Sequence, residues 1–270
     1  MAHPQPALKK SRSTDGDTSH LYSSPQPISS TKKRSKKPSQ PVTNDRPVST
    51  LQESMQRKID GARFRQINEL LYTNSSDSSL KLFTNEPDLG DLYHKGFEEQ
   101  VKSWPVNPVD KLIEKLSHLS ETSVLVDMGC GNARIAESIS CTVHSFDIHP
   151  LNPTVVRADI SNVPLSSGVA DVVVFCLSLM GSNIIDFITE ASRILKVNGI
   201  LHIAEVTSRF NDLGDFNTGM RQLGFNSKKT DRTNTHFIML EYRKARDIDE
   251  KRKARAAKLI ELKPCIYKKR

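Results

Sequence analysis

The sequence predicts a doubly wound α/β domain over about residues 123–243, and three observations lead to this prediction. Short apolar strands alternate with helical segments. The stretch 172–177 is continuously apolar, which is typical of a strand in a sheet covered on both faces. Acidic residues close the first three strands, at the edge where such sheets bind ligands: Asp127, Asp147 and Asp159.

Each element has its own local signal. Runs of apolar and β-branched residues predict strands at 124–126, 143–146, 154–156, 172–177, 200–206 and 237–242. Amphipathic spacing predicts helices at 133–139, 184–195 and 216–223. Upstream, capping-box spacing from Thr50 to Glu53 opens a helix that runs to about Leu71. Between 80 and 122, we expect short helices separated by prolines.

Charge divides the chain further. It has 270 residues and a net charge of +8 from 39 basic and 31 acidic residues. The basic excess lies at both ends, and residues 1–50 are also rich in proline and serine, so we expect a disordered basic tail there. We therefore divide the chain into four parts. The disordered basic tail spans residues 1–50, and a helical extension that packs on the core spans 51–122. The α/β domain spans 123–243, and a basic C-terminal tail spans 244–270.

The dense basic cluster at residues 32–38 has two interpretations. It suits nuclear import or attraction to nucleic-acid phosphates, and it equally suits a solvated linker that only aids solubility. We place import slightly ahead, because the C-terminal end repeats the basic bias.

Several classes of protein are disfavoured. No apolar run approaches 18 residues, so we expect no membrane span, and residues 1–10 lack the apolar core of a secretory signal. The four cysteines form no CxxC pair. We therefore expect neither a disulfide framework nor a structural zinc site, and a reducing intracellular compartment.

The clearest motif follows the first strand of the domain. Asp127-Met128-Gly129-Cys130-Gly131-Asn132-Ala133 permits a tight turn with open backbone N–H groups, and Asp147, 18 residues after Gly129, is placed to accept hydrogen bonds from ribose hydroxyls. Asp159 is placed to meet an adenine amino group. A dinucleotide fingerprint needs a third glycine, where this chain has Arg134. The motif instead resembles the first motif of methyltransferases that use S-adenosyl-L-methionine. A GxG pair alone is weak evidence, but the three strand-end carboxylates favour cofactor binding.

Longer stretches narrow the resemblance. Seven segments carry the similarity: 60–65, 68–72, 92–97, 104–110, 175–181, 204–210 and 262–268. Through these segments, residues 51–270 resemble the ribosomal RNA-processing protein 8 family, called nucleomethylin in animals. Residues 1–50 are comparable with that family in composition only.

This resemblance implies a Rossmann-like class I methyltransferase fold, with a mostly parallel seven-stranded sheet and helices on both faces. It implies S-adenosyl-L-methionine as cofactor and methylation of N1 of an adenine in large-subunit rRNA, in the nucleus and nucleolus. It assigns cofactor contacts to six residues: His94, Gly129, Asp147, Asp159, Ile160 and Cys176. The sequence itself offers no metal-binding cluster, and the reaction requires no metal.

Two other functions stay open. The family is also linked in animals to a chromatin complex that silences rDNA, so the chain could be a cofactor-sensing adaptor that transfers no methyl group to rRNA. A methyltransferase for a small molecule is less favoured, because such a substrate needs neither basic ends nor a long helical extension.

Individual residues refine the chemistry, although we assign no catalytic residue. Cys176 suits a buried strand position better than a covalent nucleophile, which needs an activated thiolate. Residues 177–180 lack the Asn/Asp-Pro-Pro-aromatic motif of enzymes that methylate exocyclic adenine amines. Adenine N1 carries a free lone pair, so no general base is required. Glu205 and Arg209 follow the fifth strand, where a surface ion pair and substrate positioning are equally supported.

Overall fold

The computed structural model describes residues 50–267. The predicted tail and its basic cluster lie outside the described residues, apart from Thr50. No helix between residues 50 and 267 is long and apolar enough to cross a membrane.

Among the described residues, four helices precede the sheet: α1 (Thr50–Thr73), α2 (Ser76–Asn85), α3 (Pro87–Val101) and α4 (Pro108–Leu116). Of the prolines expected to separate these helices, Pro87 and Pro108 begin α3 and α4, where a missing N–H costs nothing, and Pro105 lies in the connection between them. Side-chain caps define the starts of α2 and α4, because Ser75 accepts from the backbone N–H of Ser78 and Asn107 from that of Val109. Caps and prolines together cut this region into short helices.

A seven-stranded sheet then forms the centre of the domain. Its strands and helices follow in the order β1 (Val124–Met128), α5 (Arg134–Ser138), β2 (Thr142–Asp147), β3 (Val156–Arg157), β4 (Ala170–Cys176), α6 (Ile184–Ile194), β5 (Leu195–Val206), α7 (Leu213–Gln222), β6 (Phe225–Asp231), β7 (Phe237–Lys244) and α8 (Glu250–Ala256). The spatial order is β3-β2-β1-β4-β5-β7-β6. Strands β1 to β5 are parallel, and β7 runs antiparallel between β5 and β6. The predicted doubly wound, mostly parallel sheet is confirmed.

Both faces of the sheet are buried, as the apolar run in β4 predicts. Phe175 points into a cluster with Phe187 of α6 and Phe216 of α7, whereas its neighbour Val174 points into a second cluster with Leu112 of α4. Successive residues of a strand face opposite sides, so a strand covered twice must be apolar throughout. Each large side chain buried this way contributes roughly 1.5–3 kcal/mol.

Only the C-terminal half of helix α1 is buried. Its C-terminal half packs through a buried apolar set that includes Phe64 and Leu71. In the N-terminal half, Leu51, Met55 and Ile59 are 64%, 55% and 49% exposed. Helical spacing shows that apolar residues share a face, but it does not show whether another element covers that face.

The C-terminal region contains a helix and a segment that packs against the domain. Residues 250–256 form α8, and the segment after it returns to the core. Leu262 bridges to Phe210, and the backbone N–H of Lys263 donates to the carbonyl of Arg209 at 2.8 Å. Further along, the carbonyl of Cys265 accepts from the side-chain amide of Asn68 in α1 at 2.8 Å. This segment therefore ties the end of β5 to the helical extension.

Candidate functional site

The loop between β1 and α5 is shaped by two glycines with positive φ, +80° at Gly129 and +55° at Gly131. A Cβ at Gly129 would lie 2.4 Å from the Cβ of Ser178, so the loop packs directly on the turn after β4. A Cβ at Gly131 would meet nothing within 4 Å. Gly129 therefore serves the packing of the loop, whereas Gly131 leaves space beside the backbone for a ligand.

Asp147 at the end of β2 holds this loop. Its Oδ2 accepts from the backbone N–H of Gly131 at 2.9 Å, and its Oδ1 accepts from the backbone N–H of His149 at 2.9 Å. The Nε2 of His94, on α3, lies 3.7 Å from the same Oδ1. Each carboxylate oxygen can still accept a further hydrogen bond, because a carboxylate offers about four acceptor positions.

Two adjoining cavities lie beneath α3, with volumes of about 120 and 320 Å³. The smaller reaches towards α2 and β3, and the larger opens beside α4 and α5. They share the residues His94, Phe97, Gly129, Gly131, Cys176 and Leu177. The arrangement is a divided trough along the carboxyl ends of β1, β2 and β4, where ligands bind in open α/β sheets.

The structure brings five of the six predicted cofactor contacts to this trough: His94, Gly129, Asp147, Ile160 and Cys176. Asp159 does not line it. Its Oδ2 accepts from the hydroxyl of Ser76 at 2.7 Å and its Oδ1 from the backbone N–H of Ser161 at 2.8 Å, and Ser76 lines the cavity in its place. The expected contact between Asp159 and an adenine amino group stays a prediction.

The trough contains buried polar atoms that no other described group satisfies. They are the Nε2 of His94, the Oδ1 of Asp127 and the Oγ of Ser178. Burial, reinforced by the neighbouring carboxylate of Asp147, raises the pKa of Asp127 to about 7. Unsatisfied buried polar groups are costly, and here they surround an open cavity. They fit a ligand that carries hydroxyl groups and an ammonium group, as S-adenosyl-L-methionine does.

The two cysteines at the trough are not activated. Burial raises the pKa of both the Cys130 and the Cys176 thiols far above the ordinary value. Both are therefore neutral thiols at physiological pH. This agrees with Cys176 as a buried strand residue that borders the cavity, and it speaks against a covalent role.

Sequence reasoning missed much of the apolar wall. Phe97 lines both cavities, and Tyr93, whose hydroxyl donates to the sulfur of Met180 at 3.1 Å, lines the smaller. Leu177 lines both with φ +59°, a conformation rare for a residue with a side chain. The sequence signal that could have identified Phe97 is its position three residues after His94, which places both side chains on one face of a helix.

Glu205 and Arg209 form neither a surface pair nor a visible substrate contact. Nη1 of Arg209 lies 2.7 Å from Oε1 of Glu205, and the side chains are 1% and 0% exposed, respectively. The guanidinium also donates to the carbonyls of Lys263 and Leu179 and lies over the ring of Tyr72, 4.7 Å from its centroid. The surface interpretation was wrong, because α1 and the C-terminal segment cover the pair.

Within residues 50–267, no group of three or more histidine, cysteine or acidic side chains could hold a metal ion. The strand order with an antiparallel β7, the glycine loop and the acidic strand ends together define a Rossmann-like methyltransferase.

Comparison with known proteins identifies the family. A family model described as a hypothetical methyltransferase matches residues 50–270. Ribosomal RNA-processing protein 8 of Dictyostelium discoideum is 40% identical over 269 residues, covering 95% of this chain and 68% of that protein. The chain belongs to the ribosomal RNA-processing protein 8 family.

Two further relatives define how much of the family the chain spans. The Mus musculus ribosomal RNA-processing protein 8 is 44% identical over 220 residues, which are 82% of this chain and 48% of that protein. A Schizosaccharomyces pombe relative named 25S rRNA (adenine(645)-N(1))-methyltransferase is 44% identical over 241 residues, covering 83% of this chain and 73% of that protein. The chain thus spans about half of the mouse protein and about three quarters of the fission yeast protein.

Solved structures resemble the domain more distantly. A TehB-like methyltransferase of Corynebacterium glutamicum gives a TM-score of 0.48 at 17% identity, covering 59% of this chain and 100% of that one. A 1,6-didemethyltoxoflavin-N1-methyltransferase of Burkholderia thailandensis gives 0.47 at 15% identity, covering 59% and 87%. The strand order of the chain, rather than these likenesses, identifies its fold.

Proposed function

We propose that the chain transfers a methyl group from S-adenosyl-L-methionine to N1 of an adenine in large-subunit rRNA. The observation that carries this proposal is membership of a family in which a relative that this chain largely spans is named as an rRNA adenine-N1 methyltransferase. The trough supports it, because its carboxylates, glycines and unsatisfied polar atoms suit that cofactor.

The residues that would hold the cofactor follow from the chemistry of the trough. Asp147 keeps free acceptor capacity on both oxygens, which suits the two ribose hydroxyls. Asp127 offers a buried oxygen that receives no hydrogen bond from the described residues, which suits the ammonium group. Ile160 and Phe97 supply apolar walls, which suit the adenine ring. Gly131 leaves the space in which the ligand can approach the backbone.

When bound, the cofactor supplies an electrophilic methyl carbon on a sulfonium. Adenine N1 carries an unshared electron pair and loses no proton in accepting the methyl group, so the protein need not provide a base. The work of the chain is to align the two molecules and to exclude water with an apolar wall that includes Phe97 and Leu177. The neutral thiols of Cys130 and Cys176 do not compete as nucleophiles.

The cellular setting is part of the proposal. A protein that modifies rRNA precursors works in the nucleus and nucleolus, and the basic cluster at 32–38 suits import and RNA attraction. Membership of a chromatin complex that silences rDNA is the competing role. A chain that binds the cofactor and leaves rRNA unmodified would support that adaptor function instead.

The proposal can be tested in cells by reverse transcription across large-subunit rRNA. A methyl group on N1 blocks Watson–Crick pairing, so the polymerase stops beside the modified base. Removal of the protein should abolish one strong stop, and re-expression of the wild-type chain should restore it. Restoration by a cofactor-binding-deficient variant, or an unchanged set of stops, would contradict the proposed activity.

A further inference from the structure

A second groove lies outside the cofactor trough, on the side where α1, α3 and the C-terminal segment meet. Its volume is about 1180 Å³, larger than either cavity of the trough. Helix α1 supplies three basic side chains to the groove: Arg57, Lys58 and Arg65. The aromatic rings of the groove are Trp104 from the α3–α4 connection, His236 from the loop before β7 and Tyr267 from the C-terminal segment. The function described above does not use this groove.

The cations of the groove are available for a ligand. Arg57 and Lys58 are exposed, and Arg65 is partly exposed. None of the three forms an ion pair within residues 50–267, although exposed lysines such as Lys81 and Lys102 do so on neighbouring helices. The Nε of Arg57 donates to the carbonyl of Glu53 at 3.3 Å, which leaves its other donors free. Three cations in one groove, none of them ion-paired with another described residue, attract a polyanion.

Two aromatic rings of the groove, those of Trp104 and Tyr267, are fixed by packing against other aromatic side chains. Trp104 packs against Phe97 and Phe237, with ring centroids 5.7 and 5.0 Å apart. Tyr267 packs against Phe64 at 5.3 Å. Both rings line the groove and are only partly buried, so each keeps surface for contact. Fixed aromatic rings beside arginines are the arrangement on which unpaired bases stack while the cations follow the phosphates.

The groove adjoins the cofactor trough through one layer of rings. Phe97 lines both cavities of the trough and contacts Trp104, which lines the groove. On the other side, Tyr93 lines the trough and stacks on Phe64 at 5.7 Å, and Phe64 contacts Tyr267. A strand in the groove would therefore lie beside the place where a base must meet the cofactor.

We propose that this groove binds the single-stranded RNA segment that flanks the target adenine, which rests on the proposed function for the identity of the substrate. Cations alone would also suit an acidic peptide, but fixed rings beside them favour bases. A duplex would keep its bases stacked inside and leave the rings without partners.

The test measures binding and methyl transfer separately. The probe is a single-stranded oligoribonucleotide of about 12 nucleotides, within the span that such grooves cover. An abasic oligomer of the same length and an acidic peptide serve as competitors. Trp104 is the only tryptophan of the chain, so its fluorescence reports directly on the groove. We expect the RNA to quench this fluorescence and the abasic oligomer and the peptide to leave it nearly unchanged.

Charge variants complete the test. In the full chain, R57A/K58A/R65A should weaken RNA binding at least tenfold and flatten its salt dependence, since about 0.7 counterions are released per phosphate contact on single strands. The control R63A/R157A/K258A removes three exposed cations outside the groove and should bind within about threefold of wild type. Y267L should weaken binding about fivefold or more, whereas Y267F should restore it.

Cofactor affinity, measured by calorimetry, should not change in any of these variants. Equal RNA affinity of the two triple variants, or fluorescence that does not respond to RNA, would overturn the groove assignment. If wild-type protein bound RNA in this manner but produced no N1-methyladenosine, the proposed function would fail and the groove assignment would stand.

Discussion

The guanidinium of Arg209 and the carboxylate of Glu205 meet 2.7 Å apart with almost no solvent exposure. Two buried charges are costly to desolvate, and this arginine also holds carbonyls from the turn after β4 and from the C-terminal segment. The pair therefore joins the end of β5 to the turn after β4 and to the C-terminal segment.

Breaking this pair should destabilise the protein strongly. We expect E205A to lower the free energy of unfolding by about 3–5 kcal/mol, because it leaves a buried cation unpaired. E205A/R209L should lose less, since it removes both charges. Urea unfolding measures the free energy of unfolding of both variants. E205Q removes the negative charge but keeps a polar side chain, so we expect it to destabilise the protein less than E205A. The control E114A breaks the exposed pair with Lys111 and should change little. Equal effects of E205A and E114A would contradict the structural role.

Alanine substitutions at the two loop glycines should affect different properties, stability at Gly129 and cofactor binding at Gly131. G129A places a Cβ 2.4 Å from the Cβ of Ser178 at φ +80°, so we expect a marked loss of thermal stability. G131A meets no protein atom within 4 Å and should cost only the roughly 1–2 kcal/mol of a left-handed residue. It should nevertheless weaken cofactor binding, because its methyl group would occupy the space in which we propose that the ligand lies. Calorimetry on folded G131A decides this, and unchanged affinity would refute the placement.

Asp147 should matter more for cofactor binding than Asp159. D147A removes a buried acceptor that lines the trough, and hydrogen bonds to charged groups contribute about 1.5–3 kcal/mol each, so we expect a loss of about a hundredfold or more in affinity. D159A removes a carboxylate already engaged by Ser76 and should lose about tenfold or less. Thermal melts check that both fold. Similar losses would mean that Asp159 also contacts the ligand.

We predict that Asp127 makes cofactor binding dependent on pH. Its pKa of about 7 means that the carboxyl group is largely protonated below that value in the free protein. If its ionised form pairs with the ammonium, affinity should fall by up to about tenfold per pH unit below pH 7. D127N should bind more weakly at pH 8 and show a flatter profile. Calorimetry from pH 6 to pH 8 measures this, and parallel profiles for the two proteins would exclude Asp127 from that contact.

The raised pKa of Asp127 also affects folding stability, which should fall as pH rises, whereas cofactor affinity should increase. A carboxyl group whose pKa is raised by folding stabilises the native state at low pH, and this contribution is lost as pH rises through the folded value. Between about pH 4 and pH 7, Asp127 should therefore make the free protein progressively less stable. In D127N, that loss should disappear. If the stability of D127N depended on pH in the same way as that of wild type over this window, the raised pKa of Asp127 would be contradicted.

The sequence predicts the glycine turn and the acidic strand ends beside it, because these signals are local. A strand that ends in Asp127, a glycine turn and a second strand that ends in Asp147 specify the loop and its carboxylate partner without knowledge of distant contacts. The resemblance supplied His94, Ile160 and Cys176, which composition and spacing alone would have left among ordinary core residues.

What the sequence does not reveal depends on contacts between distant segments. Strand β6 escaped prediction because its residues from 226 to 230 are exposed and polar, so an edge strand there lacks an alternating apolar pattern. Phe97 resembles any apolar helix residue until α3 is seen to cover the trough. The burial of Arg209 depends on a segment more than fifty residues away in the chain.

The most direct measurement is incubation of the full chain with labelled S-adenosyl-L-methionine and unmodified large-subunit rRNA, followed by complete digestion to nucleosides and chromatography. The account predicts that the label elutes as N1-methyladenosine and that D147A yields none. Label in an exocyclic-amine product, in the protein alone or nowhere would contradict it.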